Sequence, residues 1–199
     1  MIYLASSNPN KLREFQDLLP NCQLVLLNKN ILDKLKDIET GSTFLENAFF
    51  KAQAAQKLVK ESVIADDSGL VIEALGGFPG LYSARFANNE SYEVKNQLIL
   101  DKLVSIKNRN AYFSCAVVLI TKEGEIYQGE GKMEGSIAFE ARGKNGFGYD
   151  PIFIPKNYKK SSAELTAKEK NAISHRALAL QDLLSKIPET LAKKEGLYK

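Results

Sequence analysis

Apolar residues recur along this chain in two rhythms. Short runs, Ile2-Tyr3-Leu4-Ala5, Leu24-Val25-Leu26-Leu27, Val63-Ile64-Ala65 and Leu70-Val71-Ile72, read as buried strands. Between them the spacing turns helical. Leu12, Phe15, Leu18 and Leu19 form a stripe that opens at Asn8-Pro9, a capping residue and a proline at the first helical position, and closes at Pro20. Thr43 and Glu46 make a capping-box pattern ahead of an alanine-rich helix that should reach about Lys60. Residues 91–107 read as a further helix, with Leu98, Leu100, Leu103 and Val104 as its apolar positions. Tyr112 to Thr121 is the longest strand expected, and it should pair with Glu125 to Ile137 through a turn at Glu123-Gly124. A second capping box, Thr166 and Glu169, opens one final helix expected to continue to about Lys186, with Pro188 as its stop. Mixed strands and helices predict an α/β fold with a central sheet. No repeat or linker breaks the chain, so residues 1–199 should form one domain, with residues 188–199 as a flexible lysine-rich tail.

Composition narrows the class. With 199 residues, 44% of them hydrophobic, the chain can bury a core without covalent staples. Its 27 basic and 24 acidic residues leave a net charge of +3, too balanced for a charge-driven nucleic-acid packager. Cys22 and Cys115 stand in apolar contexts, which excludes a disulfide framework and a cysteine zinc cluster and suits the cytoplasm. No apolar run approaches the roughly 18 residues of a membrane span, and no basic-then-apolar leader pattern opens the sequence. A soluble protein without a membrane partner is expected.

Several positions carry chemistry. In Ser6-Ser7-Asn8-Pro9-Asn10-Lys11 a strand hands over to a helix, which aims backbone N–H groups and the positive end of the helix dipole at one point. Two hydroxyls, an amide and an ammonium would complete a phosphate site there; a plainly capped helix with a solvated lysine is the structural alternative. Asp66 and Asp67 follow the apolar run Val63-Ile64-Ala65, at the strand end where open α/β sheets place ligands. If the backbone stays extended, the two side chains point to opposite faces. Carboxylates together with substrate phosphates are the usual way to hold Mg²⁺. Asp66-Asp67-Ser68-Gly69 is equally good turn chemistry, so a turn alone and a turn with a metal both stand. Glu46 is explained by capping, while Glu39 has no evident structural task and is open as a second metal ligand. Phe147-Gly148-Tyr149-Asp150 offers aromatic faces, a permissive backbone and a carboxylate for a base or sugar, or else aromatics for the core. His175 and Arg176 lie off the apolar stripe of Ile173, Ala177, Leu180 and Leu184, as a solvated face or a ligand contact, and Lys170 precedes them.

In combination these blocks resemble the inosine triphosphate pyrophosphatase family, which hydrolyses non-standard purine nucleoside triphosphates and cleanses the nucleotide pool. The resemblance runs nearly end to end. It spans Ser6 to Lys11, Glu39-Thr40-Gly41 with Thr43 to Ala48, Ala65 to Leu70, Gly76 to Arg85, Gly146 to Pro151, Ala163-Glu164-Leu165 and Ser174-His175-Arg176. Ser7 stands where many relatives have glycine. The resemblance implies a single elongated domain, with a central mixed sheet flanked by helices and two lobes around a nucleotide cleft. It also implies a homodimer. ITP, dITP or XTP would be cut to the nucleoside monophosphate and pyrophosphate by water attack near the α-phosphorus. Asp67 would be catalytic and a ligand of Mg²⁺, and Glu39 the other metal contact. Ser6, Ser7, Asn8, Pro9, Asn10, Lys11 and Ser68 would bind phosphates. Phe147, Gly148, Tyr149, Asp150, Lys170, His175 and Arg176 would hold base, sugar and phosphates.

The nearest rival is a septum-formation-type pyrophosphatase acting on modified pyrimidine nucleotides, which the His175-Arg176 and Gly-Phe-Gly-Tyr-Asp blocks disfavour. A nucleic-acid-binding module is a more distant one, since paired acids make a poor nucleic-acid surface. The basic excess is also local. Residues 156–199 hold ten basic and five acidic side chains, which reads as one wall for a free triphosphate, with no nucleic acid expected.

Overall fold

The structure is a computed structural model that describes residues 1–35, 37–87 and 90–197. Among them six strands form one mixed sheet in the order β2-β1-β3-β4-β5-β6. The strands are β1 (Ile2–Leu4), β2 (Leu24–Leu26), β3 (Val63–Ile72), β4 (Asn110–Ile120), β5 (Ile126–Ile137) and β6 (Phe153–Pro155). β1 runs parallel to β2 and β3, whereas β5 and β6 are antiparallel. Helices α1 (Pro9–Leu18), α2 (Lys29–Lys34), α3 (Phe44–Val59), α4 (Tyr92–Lys102), α5 (Ala167–Ile173), α6 (His175–Lys186) and α7 (Glu189–Glu195) flank it. The α/β sheet expected from the alternation of elements is therefore present. No helix of the described residues is long and apolar enough to cross a membrane. Cys22 and Cys115 are both free and buried.

Caps fall where the side chains place them. Asn8 accepts from the Asn10 N–H at the start of α1, and Thr43 accepts from the Glu46 N–H at the start of α3. Glu46 reaches back to the Ser42 N–H at 2.7 Å, which confirms its structural task. Three readings change. α2 is a short helix capped by Asn28 that the apolar pattern did not announce. The final helix is two helices, because Ser174 takes an extended conformation (ψ 147°) after closing α5 with a bond to the Lys170 carbonyl. The segment after Pro188 is no loose tail. α7 buries Leu191 and Ala192, and Leu197 follows them into the core; Tyr198 and Lys199 lie outside the described residues.

The chain divides into two compact units. The first comprises residues 1–67, 115–131 and 176–199, the second residues 68–114 and 132–175. Within the first, the sheet is apolar on both faces because helices cover each of them. Ile64, Cys115, Val117 and Leu119 join α1, α6 and α7 in one core. Val63, Ala65, Ala116, Val118 and Ile120 join α3 in the other. This strict alternation decides what the next two residues of β3 can meet. In the second unit Leu70, Ile72, Ile99, Phe113, Tyr149 and Phe153 form a separate core.

One close approach holds α6 down. A Cβ at Gly129 would stand 2.2 Å from the Ala179 carbonyl oxygen and 2.4 Å from the Leu183 nitrogen. Gly129→Ala should therefore cost about 1–3 kcal/mol of stability, measurable by urea denaturation of both proteins.

Candidate active site

Asp66 and Asp67 lie inside an unbroken ten-residue strand, so the turn expected at Asp66-Asp67-Ser68-Gly69 does not form. Two carboxylates persist there because each finds partners on its own side of the sheet. Asp66 has the parity of Ile64 and faces α1 and α6, while Asp67 has the parity of Ala65 and faces α3.

Asp66 is fully buried and doubly paired. Its Oδ1 accepts from Lys11 Nζ at 2.9 Å, and its Oδ2 accepts from Arg176 Nη2 and Nε at 3.0 and 3.3 Å. Arg176 also donates through Nη1 to Glu14, one turn along α1 from Lys11. Burial alone would raise the Asp66 pKa. Lys11, Arg176 and Lys51 outweigh it and hold the carboxyl well below the usual range. Burial would lower the Arg176 pKa, but Asp66 and Glu14 drive it further up. Asp66 is therefore a permanent anion locked into the core, unsuited to exchanging protons. Neither Lys11 nor Arg176 is a solvated side chain: Arg176 is 1% exposed.

Asp67 stands in a different environment. Its Oδ2 accepts from Asn47 Nδ2 at 3.1 Å, and the same Asn47 accepts from the Gly41 N–H at 2.8 Å through Oδ1. One buried amide thus ties the Glu39-Thr40-Gly41 loop and Asp67 to α3. Glycine is needed at 41, since a Cβ there would come within 2.6 Å of the Glu46 Cβ. Glu39 is not idle either, for Lys51 Nζ sits 2.5 Å from its Oε1. Burial pushes the Asp67 carboxyl up, Lys51 opposes this, and the negative charge of Glu39 adds to it, leaving the pKa above its ordinary value. Burial works against the Lys51 ammonium, yet Glu39, Asp67 and Asp66 together hold its pKa raised.

Asn47, Lys51 and Glu14 went unnoticed in the sequence. The first two had a legible signal: polar side chains four apart in a helix whose neighbours Ala48, Ala52 and Ala55 pack the core.

The turn before α1 is ordered by its own side chains. Ser6 Oγ accepts from the Asn8 N–H at 3.1 Å and Asn8 Oδ1 from the Asn10 N–H at 2.9 Å. Ser7 and Pro9 are exposed, and Ser6, Asn10 and Lys11 are half-buried. Lys11 is the one member of this turn already holding an anion, Asp66.

In the second unit, Gly146 and Gly148 take left-handed conformations (φ 72° and 69°) that shape the residue 143–150 loop. Asp150 is buried and accepts from the Phe147 N–H at 2.8 Å and from Lys170 Nζ at 2.6 Å. The same ammonium lies 5.1 Å from the Phe147 ring centroid. Tyr149 belongs to the core, donating its hydroxyl to the Ser83 carbonyl at 2.6 Å; burial pushes its pKa far up. Phe147 is half-buried and lines a groove of about 610 Å³ with Tyr92, Asn96 and Gly148. His175 is buried, stacked on Phe113 at 4.8 Å between centroids. Ser68 follows Asp67 in β3 and is half-buried.

Phe147, Asp150 and Lys170 are thus brought together, as are Lys11, Asp66 and Arg176. Glu39 and Asp67 share the field of Lys51. Their donors are oxygens only, and no group of three or more His, Cys, Asp or Glu that could hold a metal gathers among the described residues. Two carboxylates without further protein ligands suit Mg²⁺, which keeps waters and takes substrate phosphates for its remaining positions.

Comparison with known proteins places the chain in a family. The model of the Ham1 family matches residues 2–186. A dITP/XTP pyrophosphatase of Treponema denticola is 44% identical over 183 residues, covering 90% of this chain and 94% of that protein. One from Bacillus subtilis is 46% identical over 184 residues, covering 90% and 93%. Among solved structures, the Staphylococcus aureus Ham1 protein superposes with a TM-score of 0.80 at 39% identity, covering 97% of this chain and 98% of that one. A HAM1 protein from Coxiella burnetii gives 0.80 at 41% identity, over 96% and 98%.

Proposed function

Since the chain belongs to the Ham1 family, we propose that it hydrolyses non-standard purine nucleoside triphosphates, ITP, dITP and XTP, to the monophosphate and pyrophosphate. Clearing such nucleotides from the cytoplasmic pool would be its role. The observation that carries the reading is the Asp67 carboxylate, fixed by Asn47 and set beside Glu39 and Lys51 next to the strand-to-helix turn. The dITP/XTP pyrophosphatase activity named for its relatives supports the choice of substrate.

Glu39 and Asp67 would hold Mg²⁺, which supplies charge neutralisation on the triphosphate when bound. The protein's own contribution is positioning. The Ser7 N–H and the hydroxyls of Ser6 and Ser7 bind phosphate oxygens, since the Ser6, Asn8 and Asn10 N–H groups already donate within the chain and Pro9 has none. Asp67 orients a water toward the α-phosphorus and takes its proton. Asp66, neutralised by Lys11 and Arg176, is too firmly held as an anion to share that proton. Lys11 and Arg176 serve the site by fixing Asp66 and, through it, the strand end that presents Asp67.

In the second unit, Phe147 supplies a stacking face with Asp150 and Lys170 setting the shape around it, while His175 stacks on Phe113. Loop amides of Gly148 and Tyr149 are donors for the 6-oxygen of hypoxanthine or xanthine. Adenine, with an amine there, would leave such donors buried and unpaired, a mismatch worth up to ~10⁴-fold. A homodimer belongs to the same reading.

The test is pyrophosphate release from ITP, XTP and dITP beside ATP, GTP, dTTP and UTP, each with and without Mg²⁺. Turnover confined to the first three and dependent on Mg²⁺ is expected. Preference for dTTP or UTP would point to the pyrimidine-directed class instead, and DNA binding without turnover to a binding module.

A further inference from the structure

Lys51 is the cation paired with Glu39, and its charge also acts on Asp67. Its ammonium pairs with Glu39 at 2.5 Å, with side-chain exposures of 13% and 26%. Surface pairs of this chain are far more open, such as Lys122 with Glu61 at 58% and 39%. Asp66 is paired with Lys11 and Arg176 on the other face of the strand, while Lys51 is paired with Glu39. Among charged neighbours, Lys51 has the strongest influence on Asp67, and Glu39 and Asp67 have the strongest on Lys51.

We propose that Lys51 is a positioning residue that occupies the cation's place between Glu39 and Asp67 while no nucleotide is bound, and so keeps free divalent metal from binding tightly. The inference rests on the metal-dependent pyrophosphatase reading above and adds to it an order of assembly. Two like-charged carboxylates need a cation nearby to stay close together. An ammonium supplies one without committing the site to a free ion. A divalent ion arriving alone must either break the Lys51–Glu39 pair or sit within a few ångströms of a positive charge. A triphosphate brings enough negative charge for ammonium and metal to coexist. Metal therefore binds well together with the nucleotide and poorly without it.

The experiment reads Mn²⁺ binding to the nucleotide-free protein by electron paramagnetic resonance, with circular dichroism as the check on folding. Wild type should show no saturation up to about 1 mM Mn²⁺, at the weak end of protein sites for divalent ions. Lys51→Met and Lys51→Gln, which keep bulk but lose the charge, should bind Mn²⁺ at least about tenfold more tightly. Lys51→Arg, which keeps the charge, should stay within about threefold of wild type, a difference of under ~1 kcal/mol.

Met and Gln variants that fold but bind Mn²⁺ no better than wild type would overturn the proposal. So would an Arg variant that binds as tightly as they do. If the neutral variants fail to fold, wild type decides alone, since micromolar Mn²⁺ binding without nucleotide contradicts the idea. Failure of the pyrophosphatase reading is seen separately, as wild type releasing no pyrophosphate from ITP at any Mg²⁺ concentration.

Discussion

Asp67→Asn is expected to lower pyrophosphate release from ITP by about 10²–10⁴-fold, the range for losing a positioned proton acceptor. Asparagine is nearly the same shape and can still accept from Asn47, so the geometry around position 67 should survive. What disappears is the negative charge proposed to orient water and receive its proton. The same change should leave the fold equally or more stable. Asp67 has a raised pKa, so its folded form binds a proton more readily than the unfolded chain does. The stability linked to that proton is present below the unfolded value near ~3.9 and is lost as pH rises through the folded value. At neutral pH the buried charge is a cost that asparagine removes. Higher thermal stability together with lost turnover is the signature of a residue kept for chemistry. A variant retaining more than about a tenth of the rate, a barrier change under ~1.4 kcal/mol, would remove Asp67 from that role.

Its neighbour should behave in the opposite way. Asp66→Ala leaves Arg176 and Lys11 without their shared carboxylate in a fully buried setting, and is expected to cost about 3–5 kcal/mol in urea denaturation. Asp66→Asn keeps an acceptor and should cost less, while still losing the charge. The pH dependence follows from the depressed pKa of Asp66. Its contribution is complete above the unfolded value near ~3.9 and is lost as pH falls through the lower folded value. Wild type should therefore lose stability on acidification below about pH 4 more steeply than Asp66→Asn does. Equal stability of wild type and Asp66→Ala at pH 7 would show that the buried network is not what holds this strand end.

Adjacent residues of one strand are thus assigned opposite tasks, and sequence alone could show only half of that. The alternation of Val63, Ile64 and Ala65 already implied two faces for the aspartates. The strand's continuity through Asp66 to Gly69 was not legible because Asp, Ser and Gly are poor strand formers, and only partners distant in sequence tip the balance. Lys11 and Arg176 lie 55 and 110 residues from Asp66, beyond the reach of local patterns. Helix starts were legible, since Asn8, Thr43 and Thr166 act within three residues of themselves. The break at Ser174 was not, although serine is a good capping residue. No glycine or proline marks it, and the apolar spacing continues past it with Ala179, Leu180 and Leu183. Lysines at 193 and 194 suggested a loose end, yet they occupy the outer face of α7 while Leu191 and Ala192 face inward. Candidate site residues could be named from the sequence where a motif is contiguous. Asn47 and Lys51 act through a helix face and emerged only once α3 was seen against Asp67 and Glu39.

Water is expected to attack the α-phosphorus of a non-standard purine triphosphate. Hydrolysis of ITP in ¹⁸O-enriched water, with the products separated and weighed by mass spectrometry, tests it most directly. The expected result is one ¹⁸O atom in the inosine monophosphate and none in the pyrophosphate. Label in the pyrophosphate, or orthophosphate as the main product, would contradict it.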